Sequence, residues 1–110
     1  MVESIYIVTS DGTLGRVLQR SLEREGRSGS IQWQANFDGI TGPSMVITTE
    51  RDCPMERCSE LTRRHVSVVI LAALPTDARR DSYRTAGAAA YVPMSSNTQE
   101  LEGALQGLHV

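Results

Sequence analysis

Five short apolar runs, rich in β-branched residues, alternate along this chain with segments of helical periodicity. They predict strands at residues 5–8, 31–35, 45–49, 66–71 and 90–92. The first and fourth runs are nearly continuous, as in strands that are covered on both faces. The second run alternates apolar with polar residues, which is typical of an edge strand. Because helices and strands alternate, the pattern predicts a parallel sheet covered by helices.

Four segments between or after these runs have apolar residues at helical spacing. The segments are marked by Leu14, Val17, Leu18 and Leu22; by Met55, Cys58 and Leu61; by the stretch from Thr76 to Arg84; and by Leu101, Ala104, Leu105 and Leu108. Pro54 is predicted at the first position of its helix. Gly87 is predicted to end the third of these helices. Ser96 and Gln99 fit a capping box at the start of the last one.

The connection between the second and third predicted strands is too short to contain a full helix. Only about eight residues separate the second and third strands, whereas a crossover that contains a full helix needs a dozen or more. A helix is therefore missing there or is reduced to a single turn.

Length and composition limit the function further. The chain has 110 residues, enough for one domain over residues 1–110, and a net charge of -2. That charge offers no general surplus for binding nucleic acid directly. No signal peptide or membrane span is evident, so we expect a cytoplasmic protein. Cys53 and Cys58 do not have the spacing of a zinc site and are expected to be reduced thiols.

The stretch from Val66 to Met94 resembles the receiver domain of two-component response regulators. It contains a strong strand, the sequence Ala-Ala-Leu-Pro, a helix that ends in Ala-Gly-Ala, and then Ala-Tyr-Val-Pro. The first strand and helix are similar to that family as well. The resemblance implies a flavodoxin-like α/β three-layer sandwich with a five-stranded parallel sheet in the order 2-1-3-4-5. Residues 37–43 stand where the family has its second helix, which is short or missing here.

The resemblance also implies that the phosphorylation chemistry has been lost. The family binds magnesium through an acidic pair after the first strand, and it phosphorylates an aspartate at the end of the third strand. A hydroxyl after the fourth strand and a lysine after the fifth contact the phosphate. The matching positions here are occupied by Thr9 and Ser10 (with Asp11 beside them), Thr49, Ala72 and Met94. All basic residues of the chain are arginine, so no shift of the alignment supplies the lysine.

A contact surface is the expected route of signalling instead. Tyr91 matches the aromatic switch residue of the family, and Arg80 and Arg84 lie on the preceding helix. The resemblance implies a contact surface made of the helix that carries these arginines (the fourth helix of the family), the fifth strand and the last helix (the fifth of the family). This surface would contact a kinase, an output domain or a second copy of the chain. The alternative for the arginines is a solvated helix face.

Other readings of the sequence remain open. A small ligand or a metal ion could occupy the former phosphorylation pocket, with Asp11, Thr49 and Glu50 as ligands. A weak divalent ion could also be held by Asp11, Glu50 and Asp52 at this edge of the sheet. An unrelated α/β enzyme is disfavoured, because no acid–base pair has a recognisable spacing. We therefore predict no catalytic residues, no metal and no cofactor.

Gly12 and Gly15 lack the spacing of a dinucleotide-binding loop. Trp33 is expected in the core, with a partner-facing anchor as the alternative.

Overall fold

The computed structural model describes residues 4–24, 31–40, 42, 44–73 and 76–93. Within them the chain forms five strands and three helices. The elements in chain order are β1 (Ser4–Val8), α1 (Gly12–Arg24), β2 (Ile31–Gln34), β3 (Ser44–Thr49), α2 (Met55–Arg63), β4 (Val66–Ala72), α3 (Asp77–Thr85) and β5 (Ala90–Pro93). The predicted strands and the first three predicted helices are confirmed to within one or two residues. The predicted last helix lies outside the described residues.

The five strands form one parallel sheet in the order β2-β1-β3-β4-β5, as predicted. Apolar residues of α1, such as Leu18, pack with Ile7 and Ile47 against one face of this sheet. On the opposite face, Leu61 of α2 and Tyr83 of α3 pack with strand residues. The helices therefore cover the sheet on both sides, which explains why β3 is buried along its whole length.

No helix lies between β2 and β3 in the described part of that connection, so the predicted loss of a helix is confirmed. Ile40 of the connection is almost completely buried and packs beside Val8 and Val46. By register, Gln32 and Gln34 of β2 lie on this same face of the sheet, opposite Tyr6 and Val8. If a helix covered this face of β2, apolar side chains would be needed there. The polar Gln32 and Gln34 are therefore consistent with the missing helix.

Close backbone packing makes the short connection feasible. The amide of Gly42 donates a hydrogen bond of 3.0 Å to the carbonyl oxygen of Arg64. A Cβ atom at Gly42 would overlap the carbonyl group of His65. Only glycine allows the connection to pass this close to the turn between α2 and β4.

Local signals define the starts of helices α2 and α3. Thr76 is the N-cap of α3, and its side chain accepts a hydrogen bond of 3.1 Å from the amide of Arg79. Pro54 is the N-cap of α2 rather than its first residue, one position from the prediction.

Among the described residues, no helix has the length and apolar character needed to cross a membrane.

Trp33 fastens the edge strand β2 to helix α1. Its indole nitrogen donates a hydrogen bond of 3.1 Å to the carbonyl oxygen of Thr9. The ring lies so close to Gly15 that a Cβ atom there would overlap it. Trp33 is nevertheless 42% exposed, so the expectation of a core tryptophan is wrong. Trp33 lies on the edge strand β2, and the described residues leave much of its ring exposed.

We predict that Gly15→Ala lowers the free energy of unfolding by about 1 kcal/mol. The new methyl group must displace the indole, which costs about 1–3 kcal/mol, and the better helix propensity of alanine offsets only part of that cost. Chemical denaturation followed by Trp33 fluorescence measures the change. Gly12→Ala is the matched control, because its Cβ would lie 3.8 Å from the ring, an ordinary contact. Equal stability of the two variants would contradict the packing role.

Candidate functional site

The residues predicted for the degenerate phosphorylation pocket lie at the carboxyl edge of the sheet. Thr9 directly follows β1, Thr49 ends β3 and Ala72 ends β4. These three strands are neighbours, so parallel pairing brings their ends together. Ala72 is completely buried and offers no hydroxyl group. Met94 lies outside the described residues.

Asp52 joins two of these strand ends through its carboxylate. One oxygen, Oδ2, accepts a hydrogen bond of 2.7 Å from the hydroxyl of Thr49. The other, Oδ1, accepts bonds from both the hydroxyl (2.8 Å) and the amide (3.2 Å) of Ser10. Both carboxylate oxygens are therefore engaged, and the loop after β3 is tied to the loop after β1.

These donors also determine the charge of Asp52. Burial is the largest influence and acts to raise its pKa, but the hydrogen bonds from Thr49 and Ser10 outweigh it. The pKa of Asp52 consequently lies below its ordinary value of 3.8. At neutral pH Asp52 is therefore a carboxylate that is stabilised by neutral donors of the chain itself.

Asp11 caps the amino end of helix α1. Its carboxylate accepts hydrogen bonds of 3.0 Å and 3.2 Å from the amides of Thr13 and Leu14. It thereby caps α1, and the negative charge is favourable at the amino end of a helix. Its own amide donates to the hydroxyl of Thr9 at 3.1 Å.

Glu50 is directed to the opposite side of the pocket, toward α3. Its carboxylate lies 3.8 Å from the guanidinium of Arg79. The three ligands expected for a small molecule or metal ion, Asp11, Thr49 and Glu50, thus each have a separate partner. Within the described ranges, no group of three or more aspartate, glutamate, histidine and cysteine side chains is close enough to hold a metal ion.

Tyr83 connects this loop to helix α3. Its hydroxyl donates a hydrogen bond of 2.8 Å to the carbonyl oxygen of Cys53, and burial raises its pKa to about 12. Cys53 and Cys58 are free, buried thiols, and burial raises the pKa of both. Sequence analysis did not single out Tyr83. The available signal in the sequence was that Tyr83 is the one large aromatic side chain among the polar and small residues of α3.

The predicted contact residues Tyr91, Arg80 and Arg84 do lie together. They line a shallow cavity of about 270 Å³ beside residues 88–90. The ring of Tyr91 lies 5.9 Å from that of Tyr83, and the guanidinium of Arg80 lies 5.9 Å from the centre of the Tyr91 ring. The Tyr91 hydroxyl is buried without a hydrogen-bond partner among the described residues. Burial, followed by the nearby Glu50, raises the pKa of this phenol.

The fold has counterparts among solved response regulators. The signal receiver domain of a DNA-binding response regulator from Colwellia psychrerythraea matches with a TM-score of 0.83 and 19% identity, over 97% of this chain and 98% of that chain. A two-component response regulator from Clostridium difficile matches with a TM-score of 0.81 and 14% identity, over 97% and 95% of the two chains. A DNA-binding response regulator of the LuxR family from Staphylococcus aureus matches with a TM-score of 0.78 and 14% identity, over 99% and 100%.

These matches establish the fold of the chain, that of receiver domains in the flavodoxin-like class. The sequence itself matches no family model and no curated protein. Function must therefore be argued from the residues at the carboxyl edge and on α3 and β5.

We predict that Asp52→Asn lowers the free energy of unfolding by about 1–2 kcal/mol at neutral pH, because hydrogen bonds to a charged acceptor are replaced by weaker ones. The folded-state pKa is depressed, so this stabilisation is present above pH 3.8 and is lost as the pH falls through the folded value. Denaturant titrations at several pH values measure the gap between the two proteins. Asp81→Asn on the exposed face of α3 is the control, and a gap that persists in acid would contradict the assignment.

Two tyrosine-to-phenylalanine changes should affect the free energy of unfolding differently. Tyr83→Phe removes the hydrogen bond to Cys53 and should lower the free energy of unfolding by about 1 kcal/mol. Tyr91→Phe removes a buried hydroxyl that has no hydrogen-bond partner in the described part of the chain, so stability should stay constant or rise by up to about 1 kcal/mol. Thermal and chemical denaturation test the pair. Equal losses in both variants would show that the Tyr91 hydroxyl is hydrogen-bonded in solution.

Proposed function

We propose that this chain is a phosphorylation-independent receiver-like signalling domain, which acts through contact with a protein in a bacterial two-component or transcription-regulatory pathway. The receiver fold supports the signalling class, since all three of the response regulators described above share it at full length. The replaced pocket residues support independence from phosphorylation.

The observation that carries the proposal is the hydrogen bonding of Asp52. By the resemblance, Thr49 matches the position of the phosphate acceptor, and its hydroxyl donates a hydrogen bond to Asp52. A threonine hydroxyl is a weak nucleophile without an adjacent base. A depressed pKa makes the Asp52 carboxylate a hydrogen-bond acceptor and a poor base.

Charge neutralisation is the second requirement that this pocket does not meet. Phosphoryl transfer needs cations around the transferring group, which receiver domains supply as magnesium and a lysine. The chain has no lysine, and hydroxyl groups replace the acidic pair at Thr9 and Ser10. Asp11, the remaining carboxylate of that loop, caps α1. Introducing a phosphoryl group would place its charge beside the Asp52 carboxylate without the magnesium ion and the lysine that receiver domains use.

The proposed contact surface consists of α3 and β5, with Tyr91, Arg80 and Arg84 at its centre. The last helix, predicted after Ser96, would complete it. Arginine and tyrosine are among the residues that contribute most to binding at protein interfaces. All three side chains line one cavity. The partner is a kinase, an output domain or a second copy of this chain.

The proposal is tested by exposing the protein to phosphoryl donors and mimics. We expect no added mass after incubation with acetyl phosphate and magnesium, since the acceptor aspartate is replaced by Thr49 and both carboxylate oxygens of Asp52 are engaged in hydrogen bonds. With magnesium and beryllofluoride, the melting temperature and the amide resonances near Thr9, Thr49 and Tyr91 should not change. A phosphorylatable receiver domain treated in parallel shows that the reagents are active.

Either of two results would overturn the proposal. A saturable spectral change that begins at Thr49 and extends to Tyr91 would identify a working phospho-switch. An added phosphoryl mass that disappears in Asp52→Asn would identify Asp52 as a displaced acceptor. Arg63→Gln, a change on the far end of α2, is the control for nonspecific loss of labelling.

A further inference from the structure

A second surface lies at the other end of the sheet, away from α3 and β5. Helix α1 and the edge strand β2 enclose an open groove of about 610 Å³. Among the described residues, its lining is Gly12, Thr13, Arg16, Val17, Gln19, Arg20 and Trp33. None of these residues is acidic.

Two exposed apolar side chains share this groove. Val17 is 54% exposed and Trp33 is 42% exposed, and the only other large apolar side chain exposed in the described part of the chain is Met55. Trp33 is held in place by its bond to Thr9 and by its contact with Gly15. A rigid, half-exposed indole loses little conformational entropy when a partner covers it.

Two cations border the apolar part of the groove. Arg16 and Arg20 are one helical turn apart on α1, and both are exposed. Neither has an ion-pair partner among the described residues, in contrast to Arg57, Arg64, Arg79 and Arg80. A groove of this kind is basic although the whole chain has a net charge of -2.

We propose that the α1–β2 groove binds a protein segment in which carboxylate side chains flank an apolar one. The apolar side chain would cover Trp33 and Val17, and the carboxylates would pair with Arg16 and Arg20. Tryptophan and arginine are the residue types most enriched at the energetic centre of protein interfaces. The inference does not depend on the proposed function, because it uses neither the pocket nor α3.

Charge decides between this occupant and a second copy of the chain. A symmetric dimer through the same groove would bring Arg16 and Arg20 of one copy against those of the other. Like charges opposed across an interface are unfavourable. A segment with carboxylates instead supplies the opposite charge.

The chain carries its own reporter for the experiment, since Trp33 is the single tryptophan. The probe is a capped peptide of alternating leucine and paired aspartates, and its counterpart has asparagine in place of aspartate. We expect the acidic peptide to shift Trp33 emission saturably and in a salt-dependent manner. The asparagine peptide should bind about tenfold more weakly, because the ion pairs are lost.

Charge reversal on the protein gives the second measurement. Arg16→Glu should weaken binding of the acidic peptide by about tenfold or more while the melting temperature is retained. Arg63→Glu, which changes the same charge on α2, should leave the affinity as in the parent protein. Absence of a saturable change with the acidic peptide would overturn the proposal, as would equal effects of the two reversals. Tighter binding of a single-stranded oligonucleotide than of the peptide would also overturn it and assign the groove to nucleic acid.

Discussion

Parallel pairing of β1, β3 and β4 is the constraint on which the other features of this structure depend. It requires cover on both faces of the sheet, and it brings the carboxyl ends of the strands to one edge. The first requirement accounts for the apolar runs, of which β3 and β4 are the most complete. The second places Thr9 and Thr49 near each other although 40 residues separate them. A site at this edge is thus a result of topology before any chemistry is considered.

The loop after β3 contacts both the candidate pocket and helix α3 of the proposed contact surface. Asp52 binds Ser10 and Thr49 on the pocket side, while Glu50 faces Arg79 and Cys53 accepts the hydroxyl of Tyr83 on the α3 side. Tyr83 in turn packs against Tyr91, with the two ring planes tilted by 32°. A rearrangement of Asp52 at the pocket would act on the same short loop whose Glu50 and Cys53 contact α3. A partner can shift such an arrangement only by binding two states of it with unequal affinity.

Local patterns were sufficient to predict most of the fold. Strands followed from β-branched runs, and the start of α3 followed from Thr76, whose capping bond spans only three residues. The missing helix followed from a count of residues. The role of Asp52 could not be predicted in this way, because its contact with Ser10 joins residues 42 apart in sequence. The position of Trp33 depends likewise on a distant glycine in α1.

The pocket also differs from a phosphorylation site in how its charge is balanced. Several carboxylates close together repel one another, and such a cluster is stable when a cation neutralises it. Here Asp11 is removed to the end of α1, Glu50 is paired with Arg79, and Asp52 is stabilised by neutral donors. Each negative charge has its own partner within the protein. The mutual repulsion of these carboxylates is thus relieved by groups of the chain itself, which agrees with the proposal of a domain that signals through its surface.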